Sequence, residues 1–120
     1  MRVQELQSTS GFKFFDTEEQ IVAVLTRLIQ QYNPSHKQEF HALEKQFVEL
    51  EQPPQGERLA PISGREVVNT LVWQCRFESL LAAEAALKQM DSSMEHTELA
   101  RKQHPMFQQS WVEFYEVLDY

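Results

Sequence analysis

The apolar and polar positions in the second half of the chain predict a strand, a helical region and a second strand. Residues 66–77 are rich in β-branched and aromatic side chains, which favour a long strand. Residues 79–104 carry an alanine-rich helical pattern that begins at a capping serine and restarts after Ser92. Residues 111–118 alternate again and predict the closing strand.

The first half of the chain is predicted to contain two helices and a short edge strand. Apolar residues recur at helical spacing in residues 17–32, behind a capping pattern, and predict the first helix. Residues 36–50 form a second amphipathic pattern after Asn-Pro. Residues 58–64 predict an edge strand that pairs as an antiparallel hairpin with the long strand. Before these elements, residues 2–7 predict a short strand, and residues 11–15 predict either another strand or a hydrophobic lead-in to the first helix.

The two long strands are substantially apolar on both faces, a pattern typical of a sheet that is covered on both sides. Helices from the same chain cover one face. A single layer of helices leaves the other face open, so a second copy of the chain is the economical way to cover it. The pattern therefore predicts a homodimer.

Composition indicates one soluble domain spanning residues 1–120, with 42% hydrophobic and 24% charged residues. The formal net charge is -7 and the basic residues are scattered, which argues against a nucleic-acid partner and is interpreted as a solubility feature. No apolar run approaches the roughly 20 residues of a membrane span, and the N-terminal residues lack a secretion signal. We therefore expect a cytoplasmic protein without a membrane partner.

The residues that commonly carry chemistry form no recognisable motif. The lone cysteine, Cys75, lies within a predicted strand and is expected to be a small buried hydrophobe. The four histidines miss the spacing of three or four that a metal site on one helix requires; they are His36, His41, His96 and His104. Three glycines provide no phosphate-binding loop. The sequence predicts no metal or cofactor and assigns no catalytic residue.

The second half also resembles a known superfamily. It combines a strand through residues 69–77 that ends in an aromatic-x-Ser segment, an alanine-rich helix, a small-residue break at 91–96 before a histidine, and a closing strand. This pattern is similar to that of the dimeric α+β barrel superfamily, above all its NIPSNAP-like branch, and more distantly to antibiotic-biosynthesis monooxygenases and stress-responsive barrel proteins. The resemblance covers roughly the last 60 residues.

The resemblance implies a ferredoxin-like βαββαβ monomer whose sheet pairs with that of a partner to form a barrel. The two helices predicted at 17–32 and 36–50 stand where the family has one, so the predicted fold is α+β and ferredoxin-like with an extra helix in its first half. The superfamily includes cofactor-free oxygenases, haem-degrading enzymes and proteins without known activity, and it implies no single reaction.

Two classes of function remain open. The first is a small-molecule-binding or accessory protein. The second is a cofactor-independent, monooxygenase-like or other small enzyme that acts on an apolar or aromatic metabolite in the barrel. Enzymatic members need a polar group directed into the cavity, and the available side chains are Arg76, His96, Glu113 and Tyr115.

The candidate ligand-binding residues lie on the two long strands and combine aromatic surface with polar tips: Trp73, Arg76, Trp111 and Tyr115. Because side chains alternate along a strand, Trp111 and Tyr115 share one face. Trp73 and Arg76 lie on opposite faces, so at most one of them lines the interior. The competing interpretation is that all four are packing or interface residues, and both tryptophans are expected to be substantially buried.

Overall fold

The computed structural model of the chain describes residues 22–120, which form four strands and three α-helices. In chain order these elements are β1 (Val24–Tyr32), α1 (Lys37–Leu50), β2 (Glu57–Leu59), β3 (Thr70–Phe77), α2 (Leu80–Ser92), α3 (Met94–Gln103) and β4 (Phe107–Glu116). Short 3-10 turns precede α1 and β4. No helix in this part of the chain is long and apolar enough to cross a membrane.

The strands form one antiparallel sheet in the order β2-β3-β1-β4. Leu28 in β1 lies opposite Trp73 in β3 on one side and opposite Val112 in β4 on the other. The predicted hairpin is present, with Arg58 in β2 opposite Trp73. With α2 and α3 counted as one interrupted helix, the connectivity is βαββαβ, and the predicted α+β, ferredoxin-like fold class is confirmed.

The helix predicted for residues 17–32 is wrong over its described part, because residues 24–32 form the central strand β1. The misleading feature is that two polar residues occupy inward positions of this strand: Thr26 and Gln30 are both buried. Because these two positions are polar, the alternation of apolar and polar residues that is typical of a strand is not visible. The remaining apolar residues recur at helical spacing. The extra helix of the first half is therefore absent from the described residues. Residues 17–21 and the strands predicted at 2–7 and 11–15 lie outside them.

Local capping signals explain where the other helices begin. The Ser79 hydroxyl accepts a hydrogen bond from the Ala82 N–H at 3.0 Å, as predicted for the start of α2. The restart is capped by Ser93, whose hydroxyl accepts from the His96 N–H at 3.3 Å, and not by Ser92. Ser92 is still helical and its hydroxyl donates back to the Gln89 carbonyl.

The strand boundaries differ from the predicted ones by a few residues. β3 begins at Thr70, four residues after the predicted start, and β2 is only three residues long. β4 begins at Phe107, four residues before the predicted start, because Gln109 and Ser110 pair with β1 although they are polar. Pairing with a neighbouring strand, which a sequence pattern does not display, decides these ends.

All three helices lie on one face of the sheet, which is called the helix face below; the opposite face is called the open face. One part of the core packs Trp73, Cys75 and Phe77 of β3 against Ala83 of α2. Small alanines let this helix approach the sheet closely. Cys75 is buried, as predicted, and burial raises the pKa of its thiol.

A second part of the core lies under α1. Tyr32, Phe40 and Leu71 form a buried cluster, in which the rings of Tyr32 and Phe40 stack with centroids 4.5 Å apart. Phe107 at the start of β4 closes this cluster, with its ring edge-on to Phe40. The two clusters fix α1 and α2 at opposite ends of β3. The polar network described below lies between the two clusters.

Candidate functional site

A cavity of about 440 Å³ lies between the helix face of the sheet and helices α1 and α3. Apolar side chains from five different elements form most of its walls: Leu28, Phe47, Trp73, Met90 and Phe107. Where α3 lines the cavity, two of its residues are small, Thr97 and Ala100. The size of the cavity is in the range that small-molecule sites occupy.

A network of charged side chains forms one wall of the cavity. Arg58 of β2 donates from Nε to Glu44 Oε2 at 2.9 Å and from Nη1 to Glu51 Oε1 at 2.6 Å. Glu44 lies in α1 and Glu51 directly follows its last residue, seven positions later, so about two helical turns bring both to the same side. Burial acts to lower the pKa of Arg58, but its hydrogen bonds to Glu51 and Glu44 raise it overall. Arg58 therefore stays charged and clamps β2 to α1.

Glu51 is fixed by two further donors. Trp73 Nε1 donates to Glu51 Oε2 at 2.6 Å, and the Gly56 N–H donates to the same oxygen at 3.3 Å. A Cβ at position 56 would come within 2.6 Å of Trp73 Cε2 and 2.9 Å of the Gln74 carbonyl oxygen. Only glycine lets the backbone approach the indole this closely, so Gly56, Trp73 and Glu51 form a tightly constrained corner of the cavity.

The far end of the network is held by α3. Gln103, which is almost fully buried, donates from Nε2 to Glu44 Oε1 at 3.1 Å. Glu44 thus bridges Arg58 and Gln103 and links the edge strand to the third helix. Each carboxylate of the network has protein donors, so the network is organised without a ligand.

Two of the residues that line the cavity carry a polar atom without a hydrogen-bond partner. These atoms are Oε1 of Gln30, on the central strand, and Nδ1 of His96, on α3, and both atoms are buried. The His96 ring also faces the ring of Phe47, with centroids 5.9 Å apart. Buried polar groups in proteins are normally paired, so these two atoms are exceptions in the walls of the cavity.

A second cavity of about 510 Å³ adjoins the first. The two share four lining residues, Glu51, Trp73, Met90 and His96, so they meet at the corner that the Trp73–Glu51 hydrogen bond defines. The second cavity extends toward the start of α3 and the loop after α1. Together they provide room for a molecule longer than either cavity alone.

The structure separates the four residues predicted as ligand-binding candidates. Trp73 lies on the helix face, is buried and lines both cavities. Arg76, Trp111 and Tyr115 lie on the open face, where Arg76 and Tyr115 are both opposite Leu25. Trp111 is only half-buried and Arg76 is exposed. Trp73 and Arg76 thus lie on opposite faces, as predicted, and Trp73 alone is at the cavity.

The open face carries a separate polar cluster around Glu113. Its carboxylate accepts hydrogen bonds from Trp111 Nε1 at 2.9 Å and from the Tyr115 hydroxyl at 2.8 Å. These two hydrogen bonds hold the pKa of Glu113 below its usual value. Arg27 Nη1 lies 3.9 Å from the same carboxylate. A shallow depression of about 600 Å³ adjoins the cluster under the loop of residues 60–66.

Most of the cavity's polar residues were not among the sequence candidates, although the sequence held a signal for two of them. Glu44 and Glu51 lie beside the apolar seam of α1, four residues after Phe40 and Phe47 respectively. Carboxylates at such positions are directed partly inward and need a cation, which Arg58 on the edge strand supplies. Gln30 was hidden by the incorrect helix prediction. Among residues 22–120, no group of histidines, cysteines and carboxylates is placed to hold a metal ion.

Three solved structures show how widely this arrangement of elements occurs. A NIPSNAP family protein from Agrobacterium tumefaciens superposes with a TM-score of 0.72 at 10% identity, over 82% of this chain and 89% of that one. An uncharacterised NIPSNAP-like domain protein from Burkholderia xenovorans gives 0.66 at 16% identity, over 83% and 89%. A protein from Nitrosomonas europaea, provisionally named as an antibiotic biosynthesis monooxygenase, gives 0.63 at 10% identity, over 82% and 93%.

No protein-family model and no curated protein sequence matches this chain. At 10–16% identity, the structural likeness concerns the fold and not the activity. It does confirm the resemblance inferred from the second half of the sequence, and it extends that resemblance through β1 and α1. The chain has the ferredoxin-like α+β fold that NIPSNAP and antibiotic biosynthesis monooxygenase-like proteins share.

Proposed function

We propose that this protein binds a small organic molecule in the cavity between the helix face of its sheet and helices α1 and α3. The observation that carries the proposal is the pair of buried, unpartnered polar atoms, Gln30 Oε1 and His96 Nδ1, in an otherwise largely apolar cavity. A ligand with an apolar body and a few polar tips would fill the space and pair these atoms.

The rigid surroundings of the cavity support the same proposal. Arg58 is fixed by two carboxylates, and Trp73 is fixed by Glu51. Side chains that are already ordered lose little entropy when a ligand arrives, so more of the contact energy remains as affinity. This site lies under the helices, whereas the sequence interpretation placed a ligand inside a barrel formed by two sheets.

A thermal-shift screen of a metabolite library tests the proposal. A ligand at a hundredfold excess over its Kd adds about 2.7 kcal/mol to the free energy of unfolding. We expect Gln30→Met and Ala100→Trp, which fills the cavity, to reduce or abolish the shift. Gln31→Met is the matched control, because Gln31 lies on the open face of the same strand. A library without hits, or hits that survive both cavity variants, would contradict the proposal.

We also propose that the protein forms a homodimer through the open face of its sheet. Support comes from the large apolar or amphipathic side chains that this face leaves partly exposed, among them Leu59, Trp111 and Tyr115. A stable dimer should bury at least about 1,000 Å² in total. Light scattering at micromolar concentration should give twice the 14.1 kDa mass of one chain, and Leu59→Glu with Tyr115→Glu should return the monomer. A wild-type monomer would refute the dimer.

A second candidate function is a cofactor-independent enzyme that acts on an apolar or aromatic metabolite. The unpartnered Nδ1 of His96 favours it, because histidine is the side chain that most often transfers protons in general acid–base catalysis. Ligands found in the screen can be incubated with the protein in air while oxygen consumption and product are followed. Turnover that is lost in His96→Gln but kept in His104→Gln would support catalysis. Binding without turnover would contradict an enzymatic function and would agree with a binding protein.

A further inference from the structure

We infer that the cavity is selective for amines, that is, for a protonated nitrogen carried on an apolar or aromatic body. This inference rests on the proposed function, since it names the class of ligand that the same site takes. It excludes carboxylates and phosphates of similar size as the preferred ligands.

The first argument is the charge of the cavity walls. Carboxylates contribute to both cavities: Glu44, Glu51 and Asp91 to the first, and Glu49, Glu51 and Glu95 to the second. Among the described residues that line them, Arg58 is the one with a fixed positive charge. Its Nε and Nη1 groups are already bonded to Glu44 and Glu51. The walls therefore carry a negative excess, which attracts cations and repels anions.

The second argument is independent of charge. Gln30 is 6% exposed, it lines the first cavity, and its Oε1 accepts no hydrogen bond. A carbonyl oxygen can only be satisfied by a donor, and an ammonium group offers three. A carboxylate offers none, so it would leave this oxygen unpaired and add repulsion from Glu44.

The aromatic walls favour the same class of ligand. Trp73 lines both cavities, and its indole N–H is directed to Glu51, which keeps this carboxylate beside the ring. Phe47 belongs to the first cavity and Phe77 to the second. Aromatic faces attract organic cations as well as apolar surface, and tryptophan is the most effective of them. An organic cation in the first cavity would therefore have aromatic rings and carboxylates among the residues that surround it.

Three probes that share one ring system test the inference: 1-naphthylmethylamine, 1-naphthalenemethanol and 1-naphthoate. Isothermal titration calorimetry of the whole chain at about pH 7 and low salt gives the three Kd values. We expect the amine to bind about tenfold more tightly than the alcohol, equal to about 1.4 kcal/mol, and the carboxylate to bind most weakly. Raising the salt concentration should weaken the amine more than the alcohol.

Exposed carboxylates at the second cavity provide the variants. Glu49→Gln with Glu95→Gln should weaken amine binding about three- to tenfold and leave alcohol binding unchanged, since both side chains are exposed and tolerate the change. The matched control is Glu84→Gln, an exposed carboxylate on α2 that lines neither cavity. It should leave all three Kd values as they are.

The outcomes separate the inference from the proposed function. If the alcohol or the carboxylate binds as tightly as the amine, or if none of the three binds at about millimolar concentration, the inference is overturned. Library ligands whose thermal shift is lost in Ala100→Trp would still uphold the proposed function in that case. A library that yields no cavity-dependent ligand, together with no probe binding, overturns both.

Discussion

Two tryptophans of this sheet each donate an indole hydrogen bond to a glutamate, and the two pairs lie on opposite faces. Trp73 donates to Glu51 at 2.6 Å under the helices, across 22 residues of chain. Trp111 donates to Glu113 at 2.9 Å on the open face, within a single strand and two residues apart. The same chemical contact therefore joins β3 to the end of α1 in the first case and stays within β4 in the second.

The difference shows that the contribution of a hydrogen bond to stability depends on the other contacts that its two partners make. Glu51 is also bound by Arg58 and the Gly56 N–H, so its removal would release β2, the loop before it and the end of α1. Glu113 is bound by Trp111 and Tyr115, two neighbours that β4 would hold in place anyway. We therefore expect large effects from changes in the first group and small effects from matched changes in the second.

The largest expected effect comes from the two tryptophans. Trp73→Ala should lower the free energy of unfolding by about 3–5 kcal/mol, because it removes a large buried side chain and leaves Glu51 short of a donor. Trp111→Ala should cost about 1 kcal/mol, since this side chain is half-buried. Urea denaturation at one fixed protein concentration measures both. Equal losses would contradict the comparison. If the measurement is repeated at lower protein concentration, a Trp111 loss that shrinks on dilution would indicate the proposed dimer interface, because dilution removes the stabilisation that the wild type gains from association.

A smaller effect is expected from the two arginines. Arg58→Met leaves Glu44 and Glu51 without their cation and should cost about 2–3 kcal/mol, somewhat less than a fully buried pair because the side chain is partly exposed. Arg27→Met should cost about 0–1 kcal/mol, since its contact with Glu113 is long and exposed. Adding Glu51→Gln to Arg58→Met should recover part of the loss. No recovery would mean that Arg58 acts through packing rather than charge.

The smallest expected effect concerns the pH dependence that Glu113 contributes. Its pKa in the folded protein is below the usual value of 4.5, so the ionised carboxylate stabilises the fold above that pH. The contribution is lost as the pH falls through 4.5 toward the lower folded pKa. Calorimetry should therefore show a Tm difference between wild type and Glu113→Gln at neutral pH that shrinks on acidification. Glu116→Gln, on the same strand, is the control, and a difference that grows in acid would contradict the assignment.

The parts of the fold that local chemistry decides were predictable. The cap at Ser79 needs only the next three residues, and the run of β-branched, aromatic and other apolar residues in β3 is visible in the strand itself. The strand β1 was not predictable in this way, because Thr26 and Gln30 occupy buried positions that an apolar pattern reserves for hydrophobic residues. Their burial follows from the partner strands on each side and the helices that cover this face, which no local window contains.

The features of the site also divide into those that a local pattern predicts and those that depend on tertiary structure. The shared face of Trp111 and Tyr115 follows from alternation along one strand, and the structure has it. The contacts of Arg58 with Glu44 and Glu51 join residues 14 and 7 positions apart through a helix end and a turn. From the sequence, acidic residues on an amphipathic helix are expected to face solvent. Only the position of the edge strand shows that they line the cavity.

The position of β1 in the sheet has a consequence for how the chain assembles during synthesis. This strand pairs with β3 on one side and with β4 on the other, and β4 is made roughly 80 residues after it. Such long-range pairing slows folding, because the intervening chain must be closed into a loop before the contacts form. A nascent chain that has been synthesised as far as α3 exposes the unpaired edge of β1, which can form hydrogen bonds with a strand of another chain. Translation pauses or chaperone contacts before β4 emerges should therefore decide how much of the protein reaches its native state.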